Sequence, residues 1–248
     1  ADRKVHYRYA KSLKGPWTKP ANDIFDGIAF YAGKTMSNGT ERYLAGWCPT
    51  RIGDGDEDQW GGSLVCHRML FNADGTIDLK LPDGIDKKFT TLKKTVLIDK
   101  SGKAVKKEDS YVLSDVASVS FPRLDKTCKI EATVKATGND DAFGFAFGAC
   151  DDKTEVYSIR FDLKNKQLVM SKDDLTRGTT PTQTNVALTV PADKRFKVKI
   201  VAEKSVCVMY VNDKIAFSNR IDKMPKNPWA IFTDKGTEIS FSDIKVYE

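Results

Sequence analysis

Two tryptophans and the acidic stretch between them are the residues of this chain best suited to handling a polyhydroxylated ligand. Tyr43-Leu44-Ala45-Gly46-Trp47 reads as a strand ending on a Gly-Trp corner, and Trp60-Gly61-Gly62-Ser63-Leu64-Val65 as a strand opened by Trp-Gly-Gly. Asp54, Asp56, Glu57 and Asp58 fall in the loop between them. An indole face packs on the C–H face of a sugar ring, and carboxylates accept hydrogen bonds from its hydroxyls. A single tryptophan at such a place is as a rule a core or corner residue. The pair gains weight only from its surroundings. The alternating carboxylates of the loop also resemble a calcium loop, but the spacing and terminal Glu of an EF-hand are missing, so a solvated loop rimming a cleft is the reading taken.

Other chemistry finds little footing. His6 and His67 are the only histidines, and neither lies in a recognisable Ser/His/Asp pattern or at zinc-ligand spacing. Cys48, Cys66, Cys128, Cys150 and Cys207 show no CxxC pairing and sit mostly in apolar strands, which favours buried free thiols over a disulfide framework. No metal site and no cofactor is expected. The net charge of +6 is spread among 30% charged residues with no basic run interleaved with aromatics, so nucleic acid is not an expected partner. No stretch of about 18 apolar residues occurs, and no membrane-spanning helix is expected.

The elements that must position these residues are strands. Helical periodicity is hard to find, whereas strand-like segments follow one another with turn signals at Asn38-Gly39, Asp74-Gly75, Ser101-Gly102, Gly138-Asn139-Asp140 and Asn212-Asp213. Expected strands include Val5–Ala10, Phe30–Lys34, Arg42–Trp47, Ser63–Phe71, Ile130–Ala136, Phe196–Ala202 and Val206–Val211. Alternation is cleanest where Phe196, Val198 and Ile200 take one face and lysines the other. Phe143-Gly144-Phe145-Ala146-Phe147-Gly148 places three rings on one side and small residues on the other, a core pattern.

Several of these segments together resemble glycoside hydrolase family 32, which holds the invertases, inulinases and levanases. The resemblance runs through Asp26-Gly27-Ile28-Ala29-Phe30-Tyr31-Ala32, Arg42 to Trp47, Trp60-Gly61-Gly62, His67-Arg68-Met69-Leu70, Asp74-Gly75 and Ile77 to Pro82. Upstream, Tyr7 to Ser12 with Gly15-Pro16-Trp17 looks like a unit common in five-bladed propeller glycosidases. Downstream, Val206 to Asp213 and Ser218-Asn219-Arg220-Ile221 resemble the family's "V-E-V-F-V-N-D" and "T-x-R-I" stretches. The chain departs from the pattern at His67-Arg68-Met69-Leu70, which stands for Pro-Arg-Glu-Leu, and at Ala29, which stands for the Asp before Phe-Tyr-Ala. The family's Asn-Asp-Pro, Arg-Asp-Pro and Glu-Cys catalytic motifs do not occur.

The resemblance implies an all-β chain: the last blade region of a five-bladed β-propeller followed by a β-sandwich. Residues 1–82 would be the C-terminal part of the propeller, 83–108 a Lys-rich connector and 109–248 the sandwich. It implies a C-terminal fragment of a periplasmic or secreted enzyme acting on β-fructosides, with no catalytic residue in this chain. Asp26, Tyr31, Trp47 and Trp60 would border the sugar. The alternatives are a non-catalytic carbohydrate-binding protein and a purely structural sandwich with a vestigial blade. A lone blade exposes both faces of its sheet, so residues 1–82 are expected to need a partner, either an N-terminal propeller segment or a second copy.

Overall fold

The computed structural model describes residues 3–51, 58–124, 127–148, 155–174, 184–221 and 228–248. The described chain is nearly all strand, with one short helix. Strands β1 (Tyr31–Ser37), β2 (Arg42–Arg51), β3 (Asp58–Phe71) and β4 (Ile77–Lys80) form an antiparallel four-stranded meander. Its turns carry the expected chemistry: Asn38 Oδ1 accepts from the backbone N–H of Thr40 and Glu41, and Asp74 Oδ1 from that of Thr76. The period-2 pattern sends Leu44, Cys48, Val65, His67 and Met69 inward, all buried. Tyr43, Trp47, Leu64 and Arg68 take the opposite face.

Both glycine motifs have a steric cause. A Cβ on Gly46 would lie 2.5 Å from the buried ring of Phe30, and one on Gly62 would lie 2.1 Å from the carbonyl oxygen of Cys48. The Gly-Trp and Trp-Gly-Gly signatures therefore mark places where a ring and a neighbouring strand come too close for any side chain.

The second unit is a two-layered sandwich. One layer runs β12 (Thr184–Ala187), β11 (Gln167–Asp174), β10 (Glu155–Asp162), β9 (Ala142–Phe147), β16 (Trp229–Lys235) and the later half of β7 (Ser110–Phe121). The other runs from the first half of β7 through β17 (Ile239–Tyr247), β8 (Thr127–Ala136), β13 (Arg195–Glu203), β14 (Val206–Val211) and β15 (Ile215–Arg220). Strand β7 belongs to both because it bends at Asp115, which has φ 54° and donates its N–H to Gly236 O at 2.8 Å. Phe143, Phe145 and Phe147 are fully buried between the layers, where Phe143 and Phe145 meet Phe241 edge-on. Phe196, Val198 and Ile200 point into the same core.

Two expectations change. The Lys-rich stretch 83–108 is more than a connector, because β5 (Leu92–Lys93) pairs with β17 and β6 (Asp99–Lys107) with β7. Strand β6 lies outside the main strand order, as an edge whose lysines suit the protection of an open ladder. The stretch Val5–Ala10 makes only single bridges, His6 to Ile24 and Tyr9 to Thr18. Asp23 pins it instead, accepting from His6 Nδ1 at 2.9 Å and from Arg8, with Lys19 nearby.

These donors, His6 foremost, hold the Asp23 carboxyl down to about 2. The folded value lies below the ordinary one, so the stabilisation is complete above about pH 4 and is lost as pH falls towards 2. A carbon-detected NMR titration is expected to place the Asp23 midpoint near 2; a midpoint at the ordinary carboxylate value would show that the N-terminal segment is not held this way.

Candidate functional site

Strand β14 explains how the four-stranded sheet is held. Its run Val206-Cys207-Val208-Met209-Tyr210-Val211 is buried on both faces. Cys207, Met209 and Val211 enter the sandwich core, while Val206, Val208 and Tyr210 join Phe30, Leu44, Val65, Met69 and Leu79 in a second core between the two units. An uninterrupted apolar strand is what two-sided burial requires. Of the two faces that the four-stranded sheet would leave open by itself, the sandwich covers one.

Within that second core lies a polar network. Asp26 Oδ1 accepts from the N–H groups of Gly27 (2.6 Å) and Ser218 (2.8 Å), and Oδ2 from Ser218 Oγ (2.6 Å) and His67 Nε2 (3.0 Å). His67 Nδ1 lies 2.9 Å from the hydroxyl of Tyr210. Burial pushes the Tyr210 phenol well above its ordinary range and keeps it protonated, and the hydroxyl also lies 3.5 Å from the carbonyl oxygen of Cys66. Because a carboxylate oxygen only accepts, the imidazole carries a proton on Nε2, facing Asp26. Asp26 and His67 are 1% and 0% exposed. Asp26, expected beside the sugar, thus has its carboxylate turned into the joint, because a buried charge must be surrounded by donors.

Arg220 forms a second tie. It donates to the carbonyl oxygens of Cys48 (2.7 Å) and Pro49, and to Ser205 Oγ. The sandwich thus grips the end of β2 directly beside Trp47. A third tie is the short helix α1 (Asp83–Asp86). Asp83 binds Arg68 and Lys80 of the four-stranded sheet, and Asp86 binds Lys129 and Lys199 of the sandwich. Burial alone would raise the Asp86 carboxyl, but the two lysines outweigh it and hold it below the ordinary range.

The remaining candidates fall on the open face. Tyr31 and Trp47 are register partners, and their rings meet edge-on at 5.6 Å. Leu64 is the next partner in the row and is 77% exposed. The guanidinium of Arg3 lies 5.3 Å from the Tyr31 ring. The row can stack on a sugar or pack against another sheet. Trp60 lies in β3, with its side chain outside what the structure describes, and Asp54, Asp56 and Glu57 lie outside the described residues. Among the described residues no group of three or more His, Cys, Asp or Glu could hold a metal ion, and no helix is long and apolar enough to cross a membrane.

Comparison with known proteins fits this geometry. Residues 75–246 match the family described as GH32, BT1760-like, C-terminal domain. The chain belongs to glycoside hydrolase family 32. Among solved structures it is similar to an Aspergillus kawachii β-fructofuranosidase complexed with glycerol (13% identity, TM-score 0.68, covering 99% of this chain and 50% of that one). It is likewise similar to an Aspergillus awamori exo-inulinase (14%, 0.67, 98% and 49%) and to a fructosyltransferase from A. japonicus (14%, 0.66, 99% and 49%). At such identities the likeness is one of fold, and the chain spans about half the length of these proteins. A search of the curated proteins found no match.

The departures from the family motif now have surroundings. Met69, where the motif carries Glu, is 6% exposed in the second core, and an unpaired carboxylate there would be costly. His67, where the motif carries Pro, supplies the imidazole that Asp26 needs. Sequence reasoning missed His67, Ser218, Tyr210 and Arg220 as a joint. The available signal was a period-2 set of residues, Ala216, Ser218 and Arg220, placing a hydroxyl and a guanidinium on the face of β15 that looks toward the four-stranded sheet. Asp26→Ala strands the buried donors of Ser218 and His67 and is expected to cost about 2–4 kcal/mol in urea unfolding of the chain. A loss below about 0.5 kcal/mol, the range of an ordinary surface change, would contradict the network's role.

Proposed function

We propose that this chain is the C-terminal half of a glycoside hydrolase acting on β-fructosides, with the catalytic carboxylates carried by a propeller portion preceding residue 1. The observation that carries this reading is the one-sided sealing of the four-stranded sheet. Its inner face is closed by the sandwich, while its outer face presents Tyr31, Trp47 and Leu64 in a row, with Met36 51% exposed on the same sheet. An apolar sheet face of this kind suits packing against a neighbouring blade. The family membership and the half-length coverage of fructosidase structures support the same reading.

In this account Tyr31 and Trp47, at the end of the β1–β2 pair, border the sugar, and Arg220 fixes the backbone next to Trp47. Among the described residues, the buried acidic groups are committed elsewhere. Asp23 and Asp26 are bound as described, and Asp141 accepts from the N–H groups of Gly138 and Thr237. Retaining glycoside hydrolysis needs two carboxyl groups about 5–5.5 Å apart across the scissile bond, one with a raised pKa, and here the preceding portion supplies both.

The purified 248-residue chain is expected to release no fructose from sucrose, inulin or levan, and the full-length protein to release it from at least one. Turnover by the chain alone that survives repurification would overturn the assignment of the carboxylates. A full-length protein that binds one of these glycans without cleaving it would favour the non-catalytic carbohydrate-binding reading. In the full-length protein Trp47→Ala is expected to weaken sugar binding by about 1–3 kcal/mol, read by calorimetric titration beside a thermal melt. Unchanged affinity with a lowered melting temperature would make Trp47 a packing residue only.

A further inference from the structure

A cavity of about 460 Å³ opens where the N-terminal segment, the β3–β4 hairpin and the sandwich strands β12 and β15 meet. Its size falls in the range of small-molecule sites, which favour junctions between folded units. It lies by the hairpin turn Asn72–Thr76, at the other end of the four-stranded sheet from the Tyr31–Trp47 pair.

The walls are fixed before any ligand arrives. Tyr7 and Phe25, both lining the cavity, stack at 4.6 Å with an interplanar angle of 17°. The N–H of Leu79 donates to Lys214 O at 2.9 Å, tying β4 to the β14–β15 turn. The N–H of Ile77 donates to the Tyr7 hydroxyl oxygen at 3.2 Å, which leaves the phenolic proton free to be given to a ligand. Burial, and then the nearby carboxylates of Asp78 and Asp74, push that phenol above its ordinary range and keep it protonated.

The polar lining is mixed in a telling way. Asp78 offers a half-buried carboxylate, and Lys214 and Thr189 an ammonium and a hydroxyl; these three side chains make no hydrogen bond to other described residues. Asn22 adds an amide whose oxygen accepts from the N–H of Ile24 and whose NH₂ is uncommitted among the described residues. An anion would sit against Asp78, a cation against Lys214, and an apolar ligand would strip water from both. A ligand whose every polar group can both donate and accept satisfies them all. Hydroxyl groups do this, and the C–H faces of a sugar ring suit the aromatic wall.

We propose that this cavity is a second carbohydrate site, taking a short neutral oligosaccharide between the Tyr7–Phe25 pair and the Asp78, Lys214 and Asn22 side chains. The proposal does not depend on the fructosidase reading, since it uses only groups of this chain and no catalysis.

The test is an NMR titration of the full 248-residue chain with 1-kestose, raffinose and maltotriose separately. At least one is expected to move the side-chain amide signals of Asn22 and Asn72 saturably, with a millimolar Kd, and to leave the Trp47 indole signal still. Asp78→Ala and Lys214→Ala are expected to weaken that binding about fivefold each, the scale of losing one hydrogen bond. Among the described residues these side chains hold nothing else in place, so their variants should keep the amide spectrum of the folded chain. Raising the salt concentration should change little, because the ligand is neutral. No saturable shift with any of the three sugars, or shifts confined to the Trp47 indole, would overturn the proposal. In the second case the proposed function would still stand.

Discussion

A carboxylate removed from water must be given donors, and Asp26 draws them from segments that lie far apart in the chain. Its partners are Gly27, His67 on β3 and Ser218 on β15, the last separated from it by 192 positions. Leaving any of these groups unpaired in the low-dielectric joint costs more than the bonds return on formation, so the geometry is set by avoidance of loss. Once Asp26 is placed, the register of β3 against the sandwich follows, because a slip of one residue would turn His67 to solvent and Arg68 into the joint. Tyr210 then completes the imidazole, and Arg220 takes up the carbonyl oxygens at the end of β2. The position of Trp47 is a consequence of this joint.

The one-sided character of the four-stranded sheet gives the joint its functional meaning. The sandwich is a scaffold that closes one face of the four-stranded sheet and holds the other face out. The family departures agree with this division. Met69 and His67 lie on the inner face, where apolar volume and an imidazole are needed, while Tyr31, Trp47 and Leu64 form an aromatic and apolar row on the outer face. Asp83 and Asp86 add a polar clasp at the chain crossing, one residue binding each unit.

Much of the fold was legible because its signals are local. Alternation in Phe196 to Ile200, the three rings of Phe143, Phe145 and Phe147, and the turn residues Asn38, Asp74 and Asn212 each act within a few positions. Helix α1 begins at Asp83, within the Pro82-Asp83-Gly84 stretch where a boundary was expected. Two elements were hidden for opposite reasons. Val5–Ala10 has strand-like residues but finds no neighbour beyond single bridges, and its order comes from ion pairs of Asp23. Strand β6 is poor in apolar residues because it is an exposed edge, so its lysines read as a linker. The site was half legible. Tyr31 and Trp47 become neighbours through the pairing of β1 with β2. The surroundings of Asp26 were hidden because nothing near it in sequence reveals that His67 and Ser218 will enclose it.

Hydrogen exchange on the chain alone tests the central claim, that the joint makes sheet and sandwich one unit. The amides of β2 and β3 that are hydrogen-bonded within the sheet are expected to open with a free energy close to that of β13 and β14, as parts of a single cooperative structure. Exchange of β2 and β3 at the rate of an unfolded chain, with β13 and β14 still protected, would contradict it.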